Sequence, residues 1–149
     1  MMFEEFLLKA KINTYASNGE NEEKILEDGS KELVYKNNEW EYRDRYFGFN
    51  PFIGEEIIFK DSKIFWGMNY YGRIISDKVE TEQIYQFLKK SLRLAKIEYP
   101  FRGPIDFQEN NWIYKNKING IANNFTGKES IYFKQEKVYE LIYHGGIIK

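Results

Sequence analysis

Cysteine is absent from the 149 residues, which excludes disulfides and zinc-thiolate sites and suits a reducing compartment. Histidine occurs once, as His144. Without a second histidine or a serine or cysteine motif beside it, triads, zinc centres and phosphohistidine chemistry lack partners, and a structural role is its default. Gly-rich phosphate loops and dinucleotide fingerprints are missing too, so no cofactor, metal or catalytic residue is expected. Nor is there an excess of charge: 22 basic against 23 acidic residues give a formal net charge of -1, and no long-range field draws a phosphate backbone. Direct nucleic-acid binding is therefore not expected. No apolar run approaches the roughly 18 residues of a membrane span, and Met1-Met2-Phe3-Glu4-Glu5 lacks the basic start of a secretion signal. The expectation is a cytoplasmic protein without membrane association.

Aromatic residues are what the chain has in plenty, at 18%, with 12 Phe, 12 Tyr and 3 Trp. They supply either a bulky core or the walls of a stacking pocket. Many recur in order. Trp40-Glu41-Tyr42 answers Trp112-Ile113-Tyr114, Gly48 answers Gly120, Phe52-Ile53-Gly54-Glu55-Glu56 answers Phe125-Thr126-Gly127-Lys128-Glu129, and Tyr70-Tyr71-Gly72 answers Tyr143-His144-Gly145. One residue is inserted before the second Phe-x-Gly-x-Glu. Such self-similarity reads as one supersecondary unit used twice.

Phe3, Phe6, Leu7, Ala10 and Thr14 recur at helical spacing over residues 2–16, with Glu4, Glu5, Lys9 and Lys11 on the wet side. A second helix is expected over 80–95 from the stripe Ile84, Phe87, Leu88, Leu92 and Ala95, capped by Asp77 or Thr81 and barred from continuing by Pro100 and Pro104. Residues 17–30 read as a polar, mobile surface loop. Period-two patterning predicts strands at 32–36, 39–47, 55–60 and 63–71, then 112–118, 129–134 and 137–144, with turns at Asp61-Ser62 and Gln135-Glu136. The fold class is α+β: a helix plus antiparallel meander, repeated over about 1–76 and 77–149, the two halves related by a pseudo-twofold within a single domain.

Alternation places Trp40, Tyr42, Asp44 and Tyr46 on one strand face, so an ionisable group interrupts an aromatic row. A buried, unpaired carboxylate is costly, and Asp44 must meet a cation, several donors or a ligand. Asn116 holds the matching place without the charge. Glu56 and Glu129 would face each other across a cleft as acid and base, or serve a strand-start device in which Gly54 and Gly127 make a turn and the acids pair with Arg or backbone. Trp66, Met68 and Tyr70 share a face and form either a stacking wall or core, while the faces of Tyr139 and Tyr143 depend on a one-residue slip. Arg102, held between Pro100 and Pro104, would clamp an anion or neutralise Glu56 or Asp44.

Tyr42-x-Asp44, Phe52-x-Gly54-x-Glu56, Trp66-x-Met68-Asn69-Tyr70-x-Gly72, Arg102-Gly103-Pro104 and Tyr139-Glu140-Leu141-x-Tyr143-His144-Gly145-Gly146 together resemble an uncharacterised bacterial domain family found alone or fused behind Xre-type helix-turn-helix regulators. The resemblance spans nearly the whole chain and implies a sensor or effector half. The first helix leads into a polar loop and not a second helix, so DNA binding is not carried over. In architecture the doubled unit is also similar to the effector-binding domains of multidrug-sensing regulators, where aromatic walls and a buried acid receive cationic compounds. The leading expectation is a small-molecule-binding domain whose ligand, aromatic or cationic, lies between the two repeats against Trp40, Tyr42, Asp44, Glu56, Trp66, Tyr70, Arg102, Glu129, Tyr139 and Tyr143. Two alternatives stand beside it. One is a small enzyme using the paired glutamates, and the other a structural interaction module, such as a homodimer through an exposed aromatic sheet face.

Overall fold

A computed structural model describes residues 1–14, 16 and 23–149. Along the chain stand α1 (Phe3–Asn13), β1 (Lys24–Ile25), β2 (Lys31–Asn37), β3 (Trp40–Gly48), β4 (Phe52–Lys60), β5 (Lys63–Ile74), α2 (Thr81–Leu92), β6 (Asp106–Glu109), β7 (Trp112–Ile121), β8 (Asn124–Phe133) and β9 (Glu136–Ile147). All strands join one antiparallel sheet in the order β1-β2-β3-β4-β5-β9-β8-β7-β6. The class is thus α+β, with two meanders running in opposite directions from a shared seam at β5 and β9. No helix among the described residues is long and apolar enough to cross a membrane.

Hairpin geometry follows from local chemistry. Asp61 and Ser62 both take positive φ, as two-residue hairpin loops require. On the other side the loop is Lys134-Gln135, not Gln135-Glu136, because Glu136 already pairs with Phe133. Two short strands escaped the sequence pattern. β1 falls within the expected loop 17–30, of which residues 17–22 lie outside the described residues. β6 carries Phe107 as its one apolar residue, too little for a period-two pattern, and is set by the turn at Asn110, which pairs Glu109 with Trp112.

Trp40, Tyr42 and Asp44 turn to the covered face of the sheet while Arg43 and Arg45 are exposed. Both helices lie on that covered face. Phe6 of α1 stacks on Trp40 and Phe3 meets Trp40, Phe65 and Trp66; Phe87 of α2 stacks on Phe107 and Trp112. Helix α1 is shorter than its pattern predicts, since the Thr14 hydroxyl donates back to the Ala10 carbonyl at 2.7 Å and its N–H to that of Lys11. Helix α2 also ends early, its last turn tightened by the Leu94 N–H on the Ser91 carbonyl. Its N-cap is Glu80, with no side-chain cap from Asp77 or Thr81.

On its helix-covered face the seam is packed. Across it Tyr70 pairs with Tyr143 and Met68 with Gly145, and Met68, Tyr70, Leu141 and Tyr143 are all buried. Trp66, Phe101 and Phe125 stack beneath, with the two Phe rings 4.1 Å apart. A groove along the same join lies on the opposite sheet face, bordered by Asn69 and His144.

Candidate functional site

Two sets of buried polar side chains sit under the helices. In the first, the cross-strand neighbours Asp44 (β3) and Glu56 (β4) are 3% and 0% exposed. Glu56 accepts from the Tyr42 hydroxyl at 2.6 Å and pairs with Lys11 of α1 at 3.1 Å, and Lys11 also donates to the Phe101 carbonyl. Asp44 accepts from the Tyr70 hydroxyl at 2.5 Å. In the second, Asn116 (β7) and Glu129 (β8) are the neighbours. Glu129 takes a bidentate pair from Arg102 at 2.8 and 3.1 Å and accepts from Tyr114 at 2.5 Å and Tyr139 at 2.9 Å. Asn116 accepts from Tyr143 at 2.7 Å and donates to the Gly103 carbonyl at 3.0 Å. The Gly103 N–H in turn donates to Tyr114.

The recurring Phe-x-Gly-x-Glu now has a physical reason, and it is not a turn. Gly54 and Gly127 stand inside strands, where a Cβ would collide with the rings of Tyr70 and Tyr143. The missing side chain lets each tyrosine lie across the neighbouring strand and reach Asp44 or Asn116. Gly127→Ala is expected to displace Tyr143 and cost about 1–3 kcal/mol, the usual range for overpacking a core, as read by urea unfolding. An unchanged midpoint would contradict this account of the motif.

Beside the first set opens a cavity of about 690 Å³. Asp44, Tyr70 and Arg102 form its floor, and Leu33, Tyr46 and Phe52 one wall. Helix α2 supplies the other through Glu82, Tyr85, Gln86 and Lys89, spaced so that they share one helix face. Phe49, Phe52 and Tyr85 meet edge to face, and the Tyr85 hydroxyl donates to the Phe49 carbonyl. Of the second set, Arg102 reaches this cavity, and Tyr114, Asn116, Glu129, Tyr139 and Tyr143 do not line it. A smaller groove of about 370 Å³ lies on the opposite sheet face, past Glu55, Asn69 and His144.

Of the ten residues singled out from the sequence, Asp44, Tyr70 and Arg102 line the cavity. Trp40 and Trp66 are core, the latter with its indole N–H on the Ala122 carbonyl. Tyr42 and Glu56 stand in the first set and Glu129, Tyr139 and Tyr143 in the second, all 0% exposed and none lining the cavity. Each of the two glutamates belongs to its own buried ion pair, Glu56 with Lys11 and Glu129 with Arg102. Arg102 is ion-paired with Glu129, and its charge also acts on Asp44. Lys11, placed by its charge on the wet side, is 1% exposed. The signal was there, since Lys11 follows Phe3 and Leu7 at i+4 steps along the apolar stripe. Phe49 and Tyr85 joined the site without a motif, because only the placement of α2 brings them together with Phe52.

Burial dominates the electrostatics. It pushes Asp44 up to about 7, helped by the Glu56 charge and opposed by the Tyr70 hydrogen bond and by Lys11. Burial lowers Lys11 against the pull of Glu56, and raises Tyr70, Tyr114 and Tyr139 well above the usual phenol range, so those hydroxyls stay donors.

No curated protein and no solved structure matches the chain. A family model covers residues 44–148, taking in Asp44, Glu56, Tyr70, Arg102 and Glu129 but leaving out α1 and Lys11. The chain belongs to the family described as a domain of unknown function, DUF5680.

Proposed function

We propose that this chain is a cytoplasmic small-molecule-binding domain of the sensor or effector kind, taking a ligand with an aromatic or cationic character into the cavity between α2 and strands β2–β5. The observation that carries the reading is the buried carboxylate of Asp44 at the floor of an aromatic-walled cavity of about 690 Å³, within the size range of small-molecule sites. We take the chain as one helix-and-meander unit used twice. Supporting this are the matched pairs Asp44–Glu56 and Asn116–Glu129, the matched glycine-tyrosine contacts, and the positive φ shared by Gly48 and Gly120. On that view the ligand lies between the first unit's sheet and the second unit's helix, with Arg102 also from the second.

A thermal-shift screen with aromatic fragments tests the reading, run beside Gln86→Trp, an exposed change at the cavity wall that leaves the core alone. Fragments are expected to raise the midpoint of the native chain and not that of Gln86→Trp. A screen without hits, or hits that Gln86→Trp leaves untouched, would remove the proposal.

A further inference from the structure

The second polar set shows what the first one lacks. Asn116 is satisfied on both sides: its oxygen accepts from Tyr143, and its nitrogen donates to the Gly103 carbonyl, a backbone group folded onto it. Asp44 holds the same cross-strand position beside its glutamate and accepts from Tyr70, which pairs with Tyr143 across the seam. Here the correspondence stops. Where Asn116 presents a donor to a carbonyl, Asp44 presents a second acceptor oxygen, and no described residue donates to it. Beside it lies the cavity. Asp44 is 3% exposed as a residue, and a donor brought to its second oxygen from the cavity would offset the desolvation of the carboxylate.

Charge points the same way. Among the described residues Lys11 is ion-paired with Glu56 and Arg102 with Glu129, whereas Asp44 has no ion pair of its own and feels both cations only at longer range. In the second set the same position is neutral. The rings of Tyr46, Phe52, Tyr70 and Tyr85 line the same cavity, and aromatic faces favour a cation over a neutral group.

Resting on the cavity reading above, we infer that the ligand is a protonated amine with an apolar or aromatic body, its ammonium N–H donating to the second carboxylate oxygen of Asp44. A quaternary ammonium has charge but no N–H. A neutral isostere has neither the charge nor its strength of hydrogen bond. Both fit the cavity and lose the contact.

Calorimetric titration at pH 8 with phenethylamine, its N,N,N-trimethyl derivative and 2-phenylethanol tests the inference. Phenethylamine is expected to bind the native chain at least about tenfold more tightly than either of the others, with Asp44→Asn, the residue found at the matching position, abolishing the preference while still taking the alcohol. If the alcohol or the trimethyl compound binds as tightly as the amine, or the preference survives Asp44→Asn, the amine assignment is overturned and the cavity remains a binding site. If none of the three binds, the cavity reading falls with it. The comparison among ligands on the native chain stands even should the variant fail to fold.

Discussion

Glu129→Gln is expected to lose about 3–5 kcal/mol of stability, the range for breaking a buried ion pair by removing one partner. The glutamate's two oxygens receive four hydrogen bonds: two from Arg102 and one each from Tyr114 and Tyr139. An amide keeps the volume but sets its NH2 donors against groups that are themselves donors. It also leaves the Arg102 guanidinium, 4% exposed, without its counter-charge. Urea unfolding followed by tryptophan fluorescence reads the loss. Glu140→Gln provides the contrast. Glu140 pairs with Arg73 and Lys137 at the rim of the exposed sheet face, where such pairs contribute about 0–1 kcal/mol. If the two variants lose equal stability, the second polar set is not the anchor described here.

Asp44→Asn should act in the opposite sense above neutral pH. Burial and the Glu56 charge hold the Asp44 carboxyl at about 7, far above its value in the unfolded chain. Between the unfolded and folded values the folded chain binds the proton and the unfolded chain does not, so stability falls as pH rises from about 4 to about 7 and then levels off. The fall is on the order of 4 kcal/mol at about 1.4 kcal/mol per unit. Asparagine carries no such proton. The difference between variant and native stability should therefore grow with pH across that window, leaving Asp44→Asn the more stable form at pH 8. A pH-independent difference would mean that the carboxylate is already neutralised within the fold.

Strand faces were readable because a half-covered sheet enforces period two: Trp40, Tyr42 and Asp44 do point inward, as does the Trp66-Met68-Tyr70 row. The buried carboxylates were readable for the same reason, but their partners were not. Glu56 finds Lys11 across 45 residues and Glu129 finds Arg102 across 27, and no local pattern encodes those distances. Charge alone misplaced Lys11, although its position on the stripe of α1 gave it away. Trp40 and Trp66 were read as pocket walls because aromatic composition does not distinguish a stacking surface from a core. What decides is where the helices land. Phe3 and Phe6 bring α1 down onto Trp40 and close that region. Phe87 draws α2 toward Trp112 and leaves the space above Asp44 open. Gly54 and Gly127 illustrate the reverse: the repeated motif was visible, while its reason, room for a tyrosine ring from the next strand, is a tertiary contact.

Crystals of the native chain soaked with phenethylamine give the most direct test. Difference density is expected between α2 and the β3–β5 face, with its nitrogen within hydrogen-bond distance of Asp44. Empty space under α2 at saturating amine, or density only on the opposite face beside Glu55, Asn69 and His144, would contradict the account.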